Sequence, residues 1–566
     1  MQVQNLRNLF PIVFLIVASG CSKSNLEQEP TTPAPNATVK NEVKTNSTAP
    51  ASSDNVYETF FHAKPAMFMS VSKNIISAPR EERSPSLPSY INTDRDQFEN
   101  EPENPVRVAA EHPMSTFAID VDTASYSFVR RQLNQGRLPQ KAAVRVEEMI
   151  NYFDYQYPLP ADQKQPFSTQ VSVLDSPWKA GNKLLHIGIK GYDIKPTKRP
   201  RVNLVFLLDV SGSMSAPDKL PLLKQSMALL VDQLDPKDTI AIAVYAGAAG
   251  TVLEPTPVKK KRKILAALDQ LKAGGSTAGG AGIKLAYELA QQQFDKDAVN
   301  RIILATDGDF NVGITDRNEL QGFVERQRDQ GIYLSVFGFG QGNYNDRLIQ
   351  QLAQNGNGIA AYIDTLSEAQ KTLIHEAGAN LFPIADDLKV QVEFNPATVK
   401  EYRLIGYETR ALAKEDFNND KVDAGDIGAG HSVTAIYEIT PMGANGLVDS
   451  RRYAVDESEP AKTNATNNEY ALVKLRYKLP GESESRLLSQ PVTAENTPLA
   501  SMQQQEVNFA VAVAGFAQLL KGSNYAGDWD YDQVIEVAQA NKGPDHYGYR
   551  TEFIQLVRKA QISKGL

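Results

Sequence analysis

One stretch of the chain gathers hard oxygen ligands at the end of an apolar run. Residues 202–208 are almost wholly apolar and are followed by Asp209, Val210, Ser211, Gly212 and Ser213. Alternate spacing lets one carboxylate and two hydroxyls face a common point, and Gly212 permits the tight backbone this needs. Two further loops carry oxygen donors: Gly274, Gly275, Ser276 and Thr277 ahead of a helix beginning near Gly282, and Thr306, Asp307 and Gly308 after the apolar run 301–305. Asp209, Ser211, Ser213, Thr277 and Asp307 form an all-oxygen set of the hardness that suits Mg²⁺, with Mn²⁺ or Ca²⁺ as alternatives. Only two of the five are carboxylates. A bound ion keeps positive character and an open position for an external acid.

Other constellations are weaker. Asp416, Asn418 and Asp420 have the alternate spacing of a calcium loop, but Lys421 and Ile427 stand where the EF-hand pattern has glycine and glutamate. An acidic hairpin loop is the simpler reading, with a calcium site as the alternative. Asp120 and Asp122 follow an apolar strand and resemble the aspartate pair of haloacid-dehalogenase-type phosphohydrolases. Ala124 stands where that motif has Thr, so the pair reads as a strand end and helix cap. Histidines 62, 112, 186, 375, 431 and 546 show no metal-ligand spacing. Ser211 is not in a nucleophile elbow, because Asp209 takes the place of its first glycine. The basic run from Lys259 to Lys263 opens a helix and reads as a solvated face.

These loops need a scaffold that places strand ends side by side. Between residues 200 and 385 apolar strands (202–208, 239–245, 301–305, 332–337, 359–363) alternate with helical patterns (220–234, 259–272, 282–293, 317–330, 346–354). Such alternation predicts an α/β fold with a doubly wound, mostly parallel sheet, whose ligands bind beyond the carboxyl ends of the strands. On either side the period returns to two, over 167–174, 183–190, 388–394, 399–407, 432–439 and 470–478. The α/β unit is therefore expected to be inserted in, or flanked by, a β-sandwich built from residues 166–195 and 386–495. Upstream, 115–121 reads as a strand, 123–135 as a helix capped by Asp122 or Thr123, and 145–153 as a second helix. The chain ends in helices over 507–520, 531–540 and 549–560, with an apolar stripe at Val507, Val511, Ala514 and Leu519 that reads as core.

The motif Asp209, Ser211, Ser213, with Thr277 and Asp307 at later strand ends, resembles the metal-ion-dependent adhesion site of von Willebrand factor type A (VWA) domains. That resemblance implies a Rossmann-like VWA fold over 200–385. It implies that Ser211 and Ser213 ligate the ion directly, that the other three bind directly or through water, and that a partner's Asp or Glu carboxylate completes the shell. Regions 115–153 and 416–439 are similar to the accessory parts of a group of bacterial VWA lipoproteins.

The ends and the composition complete the picture. Residues 1–20, with Arg7 and the apolar run 9–18, read as an export signal too short to span a bilayer. Ala18, Ser19 and Gly20 precede Cys21, the sole cysteine, in a pattern that resembles a lipobox, so Cys21 is the expected lipidation site. A lone cysteine excludes an intramolecular disulfide. Residues 21–105 are rich in Pro, Ser, Thr, Asn and Glu and read as a disordered tether spanning about 50 Å. The expected divisions are then 106–165 (an N-terminal α/β accessory region), 166–199 (sandwich strands), 200–385 (the VWA domain), 386–500 (a β-rich accessory domain) and 501–566 (a helical region). A formal net charge of -8 over 566 residues gives no basic face for nucleic acid. The expected protein is a non-enzymatic adhesion or scaffolding protein of the bacterial envelope, lipid-anchored at the outer membrane. A metal-assisted hydrolase and a sensor whose metal controls assembly are the alternatives.

Overall fold

The computed structural model describes residues 96–565 apart from 163, 195–198, 277–278, 309–316, 450–467 and 494–498. The segment expected to be an export signal, the expected lipidation site Cys21, most of the expected tether and Thr277 lie outside the described residues.

The alternating region forms a six-stranded sheet. Its spatial order is Ala360–Ile363, Ile332–Phe339, Ala298–Thr306, Arg201–Asp209, Thr239–Tyr245 and Ala249–Pro257. All neighbours are parallel except the last pair. The central strand Arg201–Asp209 is covered on both faces, which is why its sequence is apolar at nearly every position. Val202, Leu204, Phe206 and Leu208 point to one face, where helices Leu220–Gln233 and Lys261–Asp269 pack through Leu223, Met227, Ile264 and Leu268. Val205 and Leu207 point to the other, against helices Gly279–Gln292, Arg317–Arg328 and Asp346–Asn355 through Ile283, Ala286, Val324 and Leu352. The antiparallel edge strand carries Pro255 and Pro257, residues that cannot donate to a further strand.

The flanks of this unit join each other. One antiparallel sheet runs Arg107–Val108, Val399–Ile405, Ser432–Pro441, Lys183–Gly191 and Phe167–Asp175. A second runs Pro383–Phe394, Glu469–Lys478 and Arg486–Thr493, with Gly425–Gly428 and Met114–Ala118 sharing the free side of the first strand. That strand changes partner where Asp387 takes φ 53° and the register shifts. The inner faces meet in an aromatic core: Phe394 stacks on Tyr402 at 4.0 Å, and Phe167 meets Tyr477 edge-on at 4.9 Å. Each such ring contributes about 1.5–3 kcal/mol by leaving water. Strands 107–108 and 114–118, expected in a separate accessory region, belong to these two sheets.

The outer face of the first sheet carries a helical layer. Helices Ala124–Asn134 and Val146–Asn151 pack with Ser501–Lys521, Tyr531–Ala540 and Tyr549–Gly565 around Phe153, Phe509, Phe516 and Phe553, over Leu184, Ile405 and Ile436 of the sheet. The stripe at Val507, Val511 and Ala514 is buried there, with Leu519 at its margin. Arg130 of the first helix is buried where this layer meets the α/β unit. Its Nε donates to Asp364 at 3.0 Å, Nη2 to Glu368 at 2.8 Å and Nη1 to the Tyr152 hydroxyl at 2.9 Å.

Of the two residues expected at the start of the first helix, Thr123 holds the N-cap position, without a side-chain bond, and Asp122 does not. Asp120 and Asp122 instead grip Arg410, at 2.9 and 3.2 Å from its Nη2, and Asp122 also accepts the Ala360 N–H at 2.8 Å. Charge-assisted bonds of this kind are about twice as strong as neutral ones, so the arginine outcompetes the cap. The Asp416, Asn418, Asp420 loop is fastened to the protein's own cations. Lys389 Nζ lies 3.2 Å from the Asp416 carbonyl, Arg476 Nη2 lies 2.8 Å from Asn418 Oδ1, and Lys478 Nζ lies 2.7 Å from the Asp420 carbonyl. Asp420 Oδ2 accepts the Ser485 N–H at 3.3 Å. The expected acidic hairpin is not one: a short 3-10 helix over Lys414–Asn418 lies in the connection from Val399–Ile405 of one sheet to Gly425–Gly428 of the other, two strands that do not pair. Among the described residues no group of three His, Cys, Asp or Glu is placed to hold a metal.

Candidate metal centre

Asp209 is the last residue of the central strand, in register with Tyr245 of one neighbour and next to the end of the other at Thr306. This register puts three strand ends at one point. Asp209, Ser211 and Asp307 are buried, and Ser213 is half-buried. The Ser211 N–H donates to Asp209 Oδ1 at 2.8 Å, a local turn that Asp side chains favour, and it reverses the chain so that both serines face back over the strand end. Ser211 Oγ and Ser213 Oγ stand 3.0 Å apart. Adjacent ligands of an octahedral Mg²⁺ with bonds near 2.0–2.1 Å are about 2.9 Å apart. The spacing of the two hydroxyls would suit two neighbouring ligands of one ion, and the donor set fits a small hard cation.

The neighbouring loops are locked onto this turn. Gly274 N–H donates to the Val210 carbonyl at 2.8 Å, and Gly212 N–H to the Gly275 carbonyl at 3.0 Å. Gly275 has φ 87°, and a Cβ there would lie 3.2 Å from the Gly247 nitrogen, so only glycine lets the loop approach so closely. Thr277, two residues on, is outside the described residues. On the opposite side Gly308, at φ 101°, lies against the 343–345 backbone and donates its N–H to Thr306 Oγ1 at 3.2 Å.

The charges at this point are strongly coupled to burial. Burial raises the Asp209 carboxyl to about 6, an effect that hydrogen bonds from Ser211 oppose and the nearby Asp307 charge reinforces. The Tyr245 hydroxyl bonds to Asp209, and burial holds its own titration well above the usual range, so it remains a donor. Lys219 Nζ lies 2.8 Å from Asp307 Oδ2, both side chains being buried. Lys219, Tyr245 and Thr306 were not singled out from the sequence. Tyr245 was legible only as a strand residue, and Thr306 only as a neighbour of Asp307 in its loop. A single lysine at the start of a helix carries no spacing signal that would tie it to Asp307.

Comparisons with known proteins agree with this architecture. The von Willebrand factor type A domain pattern matches residues 203–376, a von Willebrand factor pattern matches 92–186, and the C-terminal pattern of uncharacterized protein YfbK matches 379–562. Uncharacterized protein YfbK of Escherichia coli (strain K12) is 46% identical over 464 residues, covering 81% of this chain and 80% of its own length. Uncharacterized protein sll0103 of Synechocystis sp. is 25% identical over 368 residues, covering 63% of this chain and 81% of its own. A solved von Willebrand factor type A structure from Catenulispora acidiphila is 14% identical, with a TM-score of 0.39, covering 69% of this chain and 89% of that one. VWA domains commonly mediate protein interactions and adhesion, and often bind a divalent metal. The parallel sheet is that of a VWA domain, and the chain belongs to the YfbK family.

Proposed function

We propose that this protein captures an acidic residue of a partner protein through a divalent cation, preferentially Mg²⁺, held by Asp209, Ser211, Ser213, Thr277 and Asp307. The observation that carries the reading is the pair of serine hydroxyls 3.0 Å apart beside two buried carboxylates. The bound ion supplies a Lewis-acidic coordination position that a carboxylate oxygen can take. Asp209 anchors the ion at the central strand, Ser211 and Ser213 bind it directly, and Tyr245 steadies the Asp209 carboxylate by donating to it. With Asp307 committed to Lys219 and Tyr245 kept protonated, the groups at the ion support holding a ligand rather than moving a proton during turnover. The role is non-enzymatic: adhesion or scaffolding in the bacterial envelope. In the same proposal Cys21 carries a lipid that anchors the chain to the outer membrane.

Affinity capture from envelope extracts tests this. Capture in Mg²⁺ that is lost both in EDTA and in Asp209→Ala supports the proposal. Capture that survives both treatments overturns it. Mass spectrometry of the N-terminal peptide tests the anchor, which predicts a diacylated Cys21.

A further inference from the structure

The Lys219 ammonium is not called for by metal binding, since a positive charge 2.8 Å from a ligand carboxylate opposes a second cation at the same place. It is nevertheless built in. Lys219 opens the helix at 220, its N–H donating to the Ala216 carbonyl at 3.0 Å and its carbonyl accepting from Leu223 N–H at 2.8 Å. Its aliphatic stem lies across Gly340, where a Cβ would overlap Cγ, Cδ and Cε, and Gly340 holds φ 71° to leave that channel open. The loop that carries Gly340 is pinned from behind. Asp96 Oδ1 accepts the N–H of Gly342 at 3.1 Å and of Tyr344 at 2.9 Å, and Arg131 Nη1 donates to the Gly340 carbonyl at 3.2 Å. The stem is thus seated against a braced loop, with the buried ammonium beside Asp307.

We propose that Lys219 is the residue that makes the metal centre depend on an external carboxylate. The proposal rests on the metal-binding reading above. The charges decide it: among the described residues, two carboxylates and a divalent ion sum to zero, a neutral site with little electrostatic demand for a further anion. With the fixed ammonium the same site carries one positive charge, and a partner's Asp or Glu brings it to neutrality. Lys219 thus weakens binding of the bare ion and strengthens binding of ion and carboxylate together, so metal and partner are taken up cooperatively.

The test is titration of the full chain with Mn²⁺, followed by electron paramagnetic resonance, with and without saturating acetate as a monocarboxylate probe. In the parent protein acetate tightens Mn²⁺ binding several-fold. Lys219→Met binds Mn²⁺ alone at least tenfold more tightly and loses most of the acetate effect, while Lys219→Arg, which keeps the charge, behaves as the parent. Gly340→Ala gives a second route, displacing the stem without removing any charge, and shifts both quantities in the direction of Lys219→Met. Unchanged or weaker Mn²⁺ binding in Lys219→Met, or an undiminished acetate effect, overturns the inference while leaving the site itself standing if Asp209→Ala abolishes binding. Absence of Mn²⁺ binding in the parent, or binding that Asp209→Ala does not reduce, overturns both.

Discussion

Replacing Arg130 by methionine removes the cation that joins the helical layer to the α/β unit while keeping the apolar stem. Four acceptors lose a partner: Asp364, Glu368, Tyr152 and Glu552. Glu552 is 39% exposed and can turn to water, so it contributes little. Asp364 and Glu368 are 2% and 0% exposed and cannot. Burial pushes Glu368 up, but Arg130 first and then Lys371 hold it below the usual carboxylate range. A group depressed in this way stabilises the fold above its unfolded pKa, and that contribution fades as pH falls through the folded value. Without Arg130, burial dominates and the two carboxyls titrate higher. The loss is then about 3–5 kcal/mol near pH 8, the usual cost of stranding a buried charge, and shrinks towards about 1–2 kcal/mol near pH 5 as the carboxyls take up protons. Equilibrium urea unfolding reads this through Trp178 and Trp529, which are the two tryptophans of the chain and lie 6.1 Å apart in the core of the affected layer. A loss below about 1 kcal/mol near pH 8, or one equal at both pH values, would refute the argument that buried charge pairing holds this junction.

Proton competition at Asp209, raised by burial to about 6, sets a pH window for the metal. Mg²⁺ affinity is flat above about pH 7 and falls roughly tenfold per unit well below pH 6, as isothermal titration would show; a flat profile down to about pH 5 excludes Asp209 as a ligand. The sign reverses for the chelated protein: a carboxyl raised on folding favours the fold at acid pH and loses that contribution as pH rises through the folded value. Asp209→Asn therefore leaves thermal stability in EDTA unchanged or higher at neutral pH, and abolishes the rise in melting temperature on adding Mg²⁺. Gly308→Ala forces a Cβ into the 343–345 backbone at φ 101° and costs about 2 kcal/mol or more, with weaker Mg²⁺ binding because Asp307 moves with it. Phe394→Ala opens the aromatic centre of the sandwich and costs about 3–5 kcal/mol by urea unfolding, leaving Mg²⁺ affinity of the folded fraction intact.

The sequence carried the α/β unit well because its strands are covered on both faces, and runs such as 202–208 have no other stable use. It carried the oxygen cluster because Asp209, Ser211 and Ser213 are contiguous. What it did not carry was supplied by distant chain. The edge strand Ala249–Pro257 is half-exposed and interrupted by two prolines, so it lacks both the apolar run and clean alternation. Asp122 reads as a helix cap until Arg410, nearly 290 residues away, is placed beside it. The Lys219–Asp307 pair spans 88 residues and two crossovers, and only the assembled sheet brings its members together.

The way the sandwich is stitched across the inserted VWA unit also governs how the chain can fold. Strand Lys183–Gly191 is made early, yet its partner Ser432–Pro441 comes only after the whole insert: Gly188 pairs with Thr434. The roughly 240 residues between them make this a pairing of high sequence separation, whose chain-closure entropy must be met before the contact rewards it. Until then the apolar residues of 183–191 have one strand, Phe167–Asp175, to lean on. The parallel sheet between them draws on a single continuous stretch of chain and can close first, bringing the two severed edges of the sandwich within reach. Slow, late closure of the sandwich leaves an exposed strand edge in the interval, a part of the chain open to mispairing while it folds.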